Sequence, residues 1–330
     1  MRAMILHQSK EALRLENVPI PEPVDKEVLI RVEACGVCRT DLHVWEGELA
    51  HPHLPLILGH QVVGTIVKQG AQARRFENGV RVGAPWLARS CQHCPYCLAG
   101  QENLCDHALY RGYQLNGGFA EYCLADEDYV FPIPEHYSSL HAAPLLCAGL
   151  IGYRSLRLAG EARKLGFYGF GAAAHLLLQV ARHQGKEVYA FTRKGDEKAQ
   201  AFARQLGAVW AGASEQPPPE PLDAALIFAS AGYLVPLALQ AVRKGGSVVC
   251  AGIYMSDIPS FPYSLLYGER VLRSVTNLTR QDGEEFFTLL FEKPIETTIT
   301  VYDLEQANQA LADLREGRLV GSAVLAIESH

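Results

Sequence analysis

The stretch Y-G-F-G-A-A-A-H, residues 168–175, closes an apolar run, L-G-F-Y (165–168), and opens a helical one, A-A-A-H-L-L-L-Q-V-A-R-H-Q-G (172–185). A strand that turns through glycine straight into a helix is the opening unit of an alternating strand-helix pattern. The pattern continues outward from it. E-V-Y-A-F-T-R (187–193), D-A-A-L-I-F-A-S (223–230) and S-V-V-C-A-G-I (247–253) read as strands, and L-V-P-L-A-L-Q-A-V-R-K-G (234–245) as a helix. This half of the chain therefore predicts a doubly wound parallel sheet. The proline-rich E-Q-P-P-P-E-P (215–221) falls between two such units and reads as a rigid surface loop rather than a linker.

Upstream the texture differs. V-L-I-R-V-E-A (28–34) and V-V-G-T-I-V (62–67) are β-branched runs bounded by Gly, Pro and polar residues, so roughly the first 140 residues read as β-rich. Near the end, Leu304, Ala307, Leu311 and Leu314 recur at helical spacing before L-V-G-S-A-V-L-A-I (319–327), a strand expected to return to the β-rich half. The whole is an α/β chain of two domains, as its 330 residues suggest.

A net charge of -6 without a Lys/Arg run offers no field for nucleic acid or an anionic membrane surface, which points to a small-molecule partner. The first residues lack the apolar core and cleavage site of a signal peptide, and no stretch reaches 18 uninterrupted apolar residues, so a cytoplasmic protein is expected. Nine cysteines, an odd number in a long chain without an export signal, favour metal binding over disulfides.

Four of them, Cys91, Cys94, Cys97 and Cys105, form C-x2-C-x2-C-x7-C in a polar stretch, a lobe of about residues 89–108. Four thiolates at this spacing can close a tetrahedron around one Zn2+, and such a site is structural because no position stays open. His93 and His107 are then bystanders. An iron-sulfur cluster uses the same ligand type, and the pattern alone does not separate the two.

Gly169-x-Gly171-x-x-Ala174 sits where a dinucleotide-binding Rossmann turn would need it. The first Gly permits the turn, the second leaves room for a pyrophosphate, and a small third residue lets helix and strand pack. Gly169, Gly171, Ala172 and Ala174 are the cofactor-binding candidates. At the end of the next strand, F-T-R-K (191–194) has no carboxylate for an adenosine ribose. Thr192, Arg193 and Lys194 could accept a 2′-phosphate instead, with Asp196 the alternative group for a ribose, so NADP(H) is favoured over NAD.

C-G-V-C-R-T-D-L-H (35–43), G-H-Q (59–61), the four-cysteine lobe and A-P-L-L-C-A-G (143–149) occur in this order and together resemble the zinc-containing alcohol dehydrogenases of the medium-chain dehydrogenase/reductase superfamily. D-L-H-V-W-E-G (41–47) and P-W-L-A-R-S-C (85–91) are most similar to the tetrameric yeast-type and bacterial members. The resemblance implies a GroES-like catalytic domain over 1–148 and 282–330 and a Rossmann domain over 149–281, in a homo-oligomer, tetramer or dimer. It implies two Zn2+ per chain, a catalytic one on Cys38, His60 and Cys147 and a structural one on the lobe. Three ligands leave the fourth position of the catalytic ion for water or substrate.

The same resemblance makes Asp41 the carboxylate that orients His60 and Thr40 the hydrogen-bond partner of the substrate oxygen. His43 becomes the end of a relay from Thr40 through the nicotinamide ribose to solvent, Arg39 a pyrophosphate contact, and Trp45 and Trp86 the lining of the substrate pocket. The expected reaction is hydride transfer between an alcohol or aldehyde and NADP or NAD. Gln61 departs from the family's G-H-E, which leaves the surroundings of the metal one negative charge short. Two rival readings are a zinc-free quinone or enoyl reductase of the same superfamily, which would need neither metal constellation, and a non-catalytic nucleotide-sensing binding protein.

Overall fold

The computed structural model describes residues 1–49, 52–319 and 321–327. The chain forms two compact units, Met1–Cys147 together with Asn277–His330, and Ala148–Thr276.

The first unit is built on a mixed sheet whose strands run in the order Phe131–Pro132, Arg81–Ala84, Val62–Gln69, Glu27–Val37, Ser322–Ala326 and Ile299–Asp303; Tyr122–Asp126 also pairs with Glu27–Val37. Glu27–Val37 is the axis of this sheet. Its residues alternate between the two faces, and its inward side chains, Val28, Ile30 and Val32, are fully buried. It pairs antiparallel with Val62–Gln69 and, at its far end, with Ser322–Ala326. The predicted return of the C-terminal strand is thus met at Ala323, Val324 and Leu325; Val320, within the same predicted run, lies outside the described residues. The periodic leucines before it form a 3-10 turn, Leu304–Gln306, and the helix Ala307–Arg315, whose Ala307, Ala310 and Leu311 face the core.

The second unit is a six-stranded sheet, parallel throughout, in the order Trp210–Ala213, Glu187–Thr192, Lys164–Tyr168, Leu222–Ile227, Val242–Cys250, Val271–Ser274. The order reverses next to the first strand, and ligands of such sheets bind at the carboxyl ends of the strands beside that switch. Runs such as Val188–Phe191 and Ala224–Ile227 are apolar without alternation because both faces of these strands are covered. The V-R-K segment read as the end of a helix belongs to a strand instead: the helix Leu234–Ala241 stops and Val242–Cys250 begins at once. A β-branched residue followed by two exposed cations has no apolar face left for another helical turn, while Val242 finds a strand partner in Leu222.

Two close contacts hold this unit. Gly152 lets the helix Ala148–Leu158 approach the helix Ala172–His183, since a Cβ there would lie 1.7 Å from Leu177 Cδ2. Asp223 ties the edges of three strands, accepting from the Arg163 and Lys164 amides, each at 2.9 Å, and from Arg243 Nε at 2.7 Å. Partial burial would raise the pKa of Asp223, but Arg243 and the two amides outweigh it and bring the carboxyl down to about 2. Because this value lies below the unfolded one of about 3.9, the stabilisation is present above pH 4 and fades as pH falls toward 2. Asp223→Asn should therefore lower stability by roughly 1 kcal/mol at pH 7, after allowance for solvent screening, and make little difference near pH 2; urea unfolding at the two pH values checks it.

Candidate metal centres and active site

The helix Arg39–Glu46 begins where the central strand Glu27–Val37 ends, with Cys38 as its N-cap in extended conformation. Cys38 Sγ accepts from the Thr40 amide at 3.4 Å and Asp41 Oδ2 accepts from the Cys38 amide at 2.9 Å, a reciprocal cap in which a thiol replaces the usual hydroxyl. Asp41, 1% exposed, turns its other oxygen to His60 Nδ1 at 3.1 Å and the Gly59 amide at 3.2 Å. Gly59 has φ +96°, and a Cβ there would come within 2.4 Å of the Phe119 ring, so only glycine admits this turn. The turn delivers His60, fully buried, with Nε2 3.2 Å from Cys38 Sγ.

Cys147 follows the 3-10 turn Ala143–Leu146, and its Sγ lies 3.8 Å from that of Cys38. Two thiolates on one tetrahedral Zn2+, each about 2.3 Å from the ion, stand about 3.8 Å apart. The donor atoms of Cys38, His60 and Cys147 all lie within 4.8 Å of one another. These residues fit a three-ligand zinc ion, with the Nδ1 of His60 engaged by a carboxylate so that Nε2 faces the metal position. Cys38 is held well below the usual thiol range, first by the Cys147 thiol donating to it and also by His60. Burial would lower the pKa of His60, yet Asp41 and Cys38 raise it to about 10.

The four-cysteine lobe is equally assembled: all four Sγ atoms lie within 4.8 Å of one another, Cys91 and Cys97 3.9 Å apart. Backbone amides of Cys94, Cys97 and Cys91 point at the sulfurs of Cys91, Cys94 and Cys105 at 3.3–3.5 Å, the arrangement that supports thiolates. Glu102 anchors the lobe to the helix Arg280–Glu292 by accepting from the Arg280 amide at 2.7 Å, while Arg280 also lies over the Tyr129 ring.

Thr40 and His43, three positions apart and so on one face of the helix, are both buried. His43 Nδ1 meets the Glu48 carboxylate, a partner not anticipated from the sequence. Trp86 stands edge-on to His60 with ring centres 5.0 Å apart and stacks on Tyr110 and Tyr113, so one wall beside His60 is aromatic. Only Trp86 of that stack was singled out in the sequence; the spacing Y-R-G-Y (110–113) was its visible trace. Trp45 is placed differently: its indole N–H donates to the Glu11 carbonyl at 2.6 Å and Arg315 covers its ring. Gln61 is buried, and among the described residues its Nε2 has no hydrogen-bond partner.

In the second unit, Gly169 has φ +89° and leads from the strand Lys164–Tyr168 to the helix Ala172–His183, capped by Gly171. A Cβ on Gly171 would meet nothing within 4 Å, so space stands open above the helix N-terminus, where backbone N–H groups favour a phosphate. Ala174 is fully buried against the sheet. Thr192 is buried and bonded to Gln200 Nε2 at 3.1 Å, while Asp196 caps the helix Glu197–Leu206 through the Ala199 amide. Arg193 and Lys194 are exposed without an ion-pair partner among the described residues, as is Arg39 in the first unit.

A two-domain nucleotide-binding dehydrogenase with metal-ligand clusters is the class these features define. Residues 24–135 match the alcohol dehydrogenase GroES-like domain. The chain is 45% identical over 317 residues, 93% of its length and 91% of the relative's, to a Mycobacterium tuberculosis protein called "Probable alcohol dehydrogenase AdhA". It is 36% identical to an alcohol dehydrogenase of Geobacillus stearothermophilus, covering 99% of both chains. The solved structure of a thermostable alcohol dehydrogenase from Pyrobaculum aerophilum superposes with a TM-score of 0.90 at 25% identity, again over 99% of both chains. The chain belongs to the zinc-containing alcohol dehydrogenases of the medium-chain dehydrogenase/reductase superfamily. It is an NAD(P)-dependent alcohol dehydrogenase, acting on small alcohols or aldehydes, and the zinc-free and non-catalytic readings are not favoured. Among the described residues no helix is long and apolar enough to cross a membrane.

Asp41→Asn, which keeps the shape but removes the charge facing His60 Nδ1, should weaken zinc retention at this centre by about 10- to 100-fold; chelator competition with metal analysis checks it.

Proposed function

We propose that Cys38, His60 and Cys147 hold the catalytic Zn2+, that Cys91, Cys94, Cys97 and Cys105 hold a structural one, and that NADP(H) is the preferred nicotinamide. The observation that carries the catalytic assignment is the convergence of three donors from distant segments on one point, with Asp41 behind His60. When bound, zinc would acidify an alcohol hydroxyl as a Lewis acid and the nicotinamide would take up hydride.

The protein's own side chains have separable tasks. Asp41 fixes the His60 tautomer and the start of the helix together. Thr40 Oγ1 accepts the hydrogen of the substrate hydroxyl, and His43, one turn along with Glu48 at its Nδ1, passes a proton toward solvent. Trp86, with Tyr110 and Tyr113 behind it, limits the width of the substrate site. Gln61, one charge poorer than the family's Glu, leaves the metal surroundings less negative, which favours an anionic ligand on the ion.

The cofactor preference rests on Thr192, Arg193 and Lys194. Asp196 is committed to capping its helix, whereas Arg193 and Lys194 are exposed and without an ion-pair partner among the described residues, available to a 2′-phosphate. Gly169, Gly171, Ala172 and Ala174 complete the contacts proposed for the second unit. The strand Val271–Ser274 is a sheet edge with exposed Val271, near exposed Tyr263 and Tyr267, which supports a homo-oligomer, dimer or tetramer. The nine cysteines form no disulfide among the described residues, which suits a cytoplasmic, reducing setting.

Metal analysis should return about two zinc ions per chain; one or none would remove an assignment. Cys38→Ala should abolish alcohol oxidation while circular dichroism stays unchanged, and retained turnover would refute the ligand set. Arg193→Ala should raise KM for NADPH about tenfold or more and leave KM for NADH nearly unchanged. A wild-type enzyme that prefers NADH by a wide margin would overturn the reading of Arg193.

A further inference from the structure

Three of the four sulfurs in the cysteine lobe each receive a backbone amide, and Cys97 Sγ is the exception: among the described residues no amide points at it. A hydroxyl stands there instead. Ser90 Oγ lies 3.2 Å from Cys97 Sγ and 2.7 Å from the Tyr129 hydroxyl. Ser90 is 7% exposed and Tyr129 1%, so the two hydroxyls are shut off from bulk solvent.

The chemistry of the sulfur fixes the sense of these bonds. A thiolate only accepts, and a serine or tyrosine hydroxyl has one proton to give. Once Cys97 is a thiolate, Ser90 must donate to it, and the Ser90 oxygen is left to accept from Tyr129. Burial holds the Tyr129 phenol above its ordinary range, so its proton is kept for that bond. With Cys97 a thiol, the sulfur can itself donate to Ser90, and the order has no fixed sense. The far side of Tyr129 is held as well: Arg280 lies over its ring, 5.6 Å from the centre, and the Arg280 amide donates to Glu102 of the lobe at 2.7 Å.

We propose that Ser90 and Tyr129 are positioning residues of the lobe. Tyr129 donates to Ser90 and Ser90 donates to the Cys97 thiolate, supplying the hydrogen bond that a backbone amide gives each of the other three sulfurs. The inference rests on the lobe holding a structural Zn2+. Four thiolates around one divalent ion leave an excess of negative charge on sulfur, and each hydrogen bond to a sulfur disperses part of it. A sulfur without such a bond is the one most readily protonated and released, so Ser90 supports the ligand that would otherwise leave first.

Zinc release from the full-length, zinc-loaded enzyme into an excess of a chromogenic chelator tests the pair; the release phase that Cys38→Ala retains belongs to the lobe. Ser90→Ala should speed that phase at least about tenfold, and Ser90→Thr, which keeps the hydroxyl, should leave it near the wild-type rate. Tyr129→Phe should speed it about threefold. Combined with Ser90→Ala it should add nothing, because the chain of bonds runs through Ser90. With cobalt(II) in the lobe, Ser90→Ala and Tyr129→Phe should each move the sulfur-to-metal absorption band to longer wavelength, the mark of a weaker hydrogen bond to sulfur. If Ser90→Ala does not fold, the rate and the band of Tyr129→Phe decide alone. A lobe rate unmoved by Ser90→Ala, equal speeding by Ser90→Thr, additive effects in the double variant, or an unmoved cobalt band would overturn the proposal. Absence of zinc from Cys38→Ala would overturn the lobe assignment itself, and this inference with it.

Discussion

Much of the first unit's chemistry depends on one buried carboxylate. Asp41 lies between the end of the central strand and the turn before its neighbour, and it accepts from the amides of Cys38 and Gly59 and from His60 Nδ1. Burial pushes its carboxyl pKa upward, and His60 is the main influence opposing that. A carboxylate so deeply placed survives only because its partners satisfy it, and two of the residues it fixes, Cys38 and His60, belong to the group that could hold a metal ion. Helix capping and ligand orientation are therefore one interaction.

The geometry around Asp41 follows from strand pairing. Cys35 and Val62 are register partners across Glu27–Val37 and Val62–Gln69, so the residues just beyond these strands, Cys38 and His60, emerge side by side although 22 positions apart in the chain. Gly59 reverses the backbone in the little space left by Phe119, and Cys147 arrives from a separate turn at the boundary of the unit. The lobe of four cysteines works on a shorter scale. Its spacing brings the sulfurs together locally, and Glu102 with Arg280 fastens that local structure to a distant helix.

The second unit shows a different economy. Its glycines act through what they leave out: Gly169 a strained turn, Gly171 a clear space over a helix start, Gly152 the bulk that would separate two helices. The charged residues at the end of its second strand divide their tasks, with Asp196 turned inward to cap a helix and Arg193 and Lys194 left outside. Arg111 is the contrary case in the first unit, a charge turned inward with part of its bonding capacity unused.

The alternation of strands and helices after residue 164, the Gly169 turn and the spacing of Cys91, Cys94, Cys97 and Cys105 were legible in the sequence, because each depends on residues close together in the chain. The fold class and the family resemblance followed from such local marks taken in order. The helix stops at Ala241, short of the Gly245 that its local pattern predicts, because Val242 pairs with Leu222 in the sheet. Tertiary structure alone decided which side chains meet: that Glu48 faces His43, that Trp86 rather than Trp45 lies against His60, that Asp196 caps a helix, and that Arg111 is buried with no paired carboxylate among the described residues. Periodicity and spacing report the backbone's local preferences, whereas the partner of a buried charge or ring is set by strand register and packing between segments far apart in the chain.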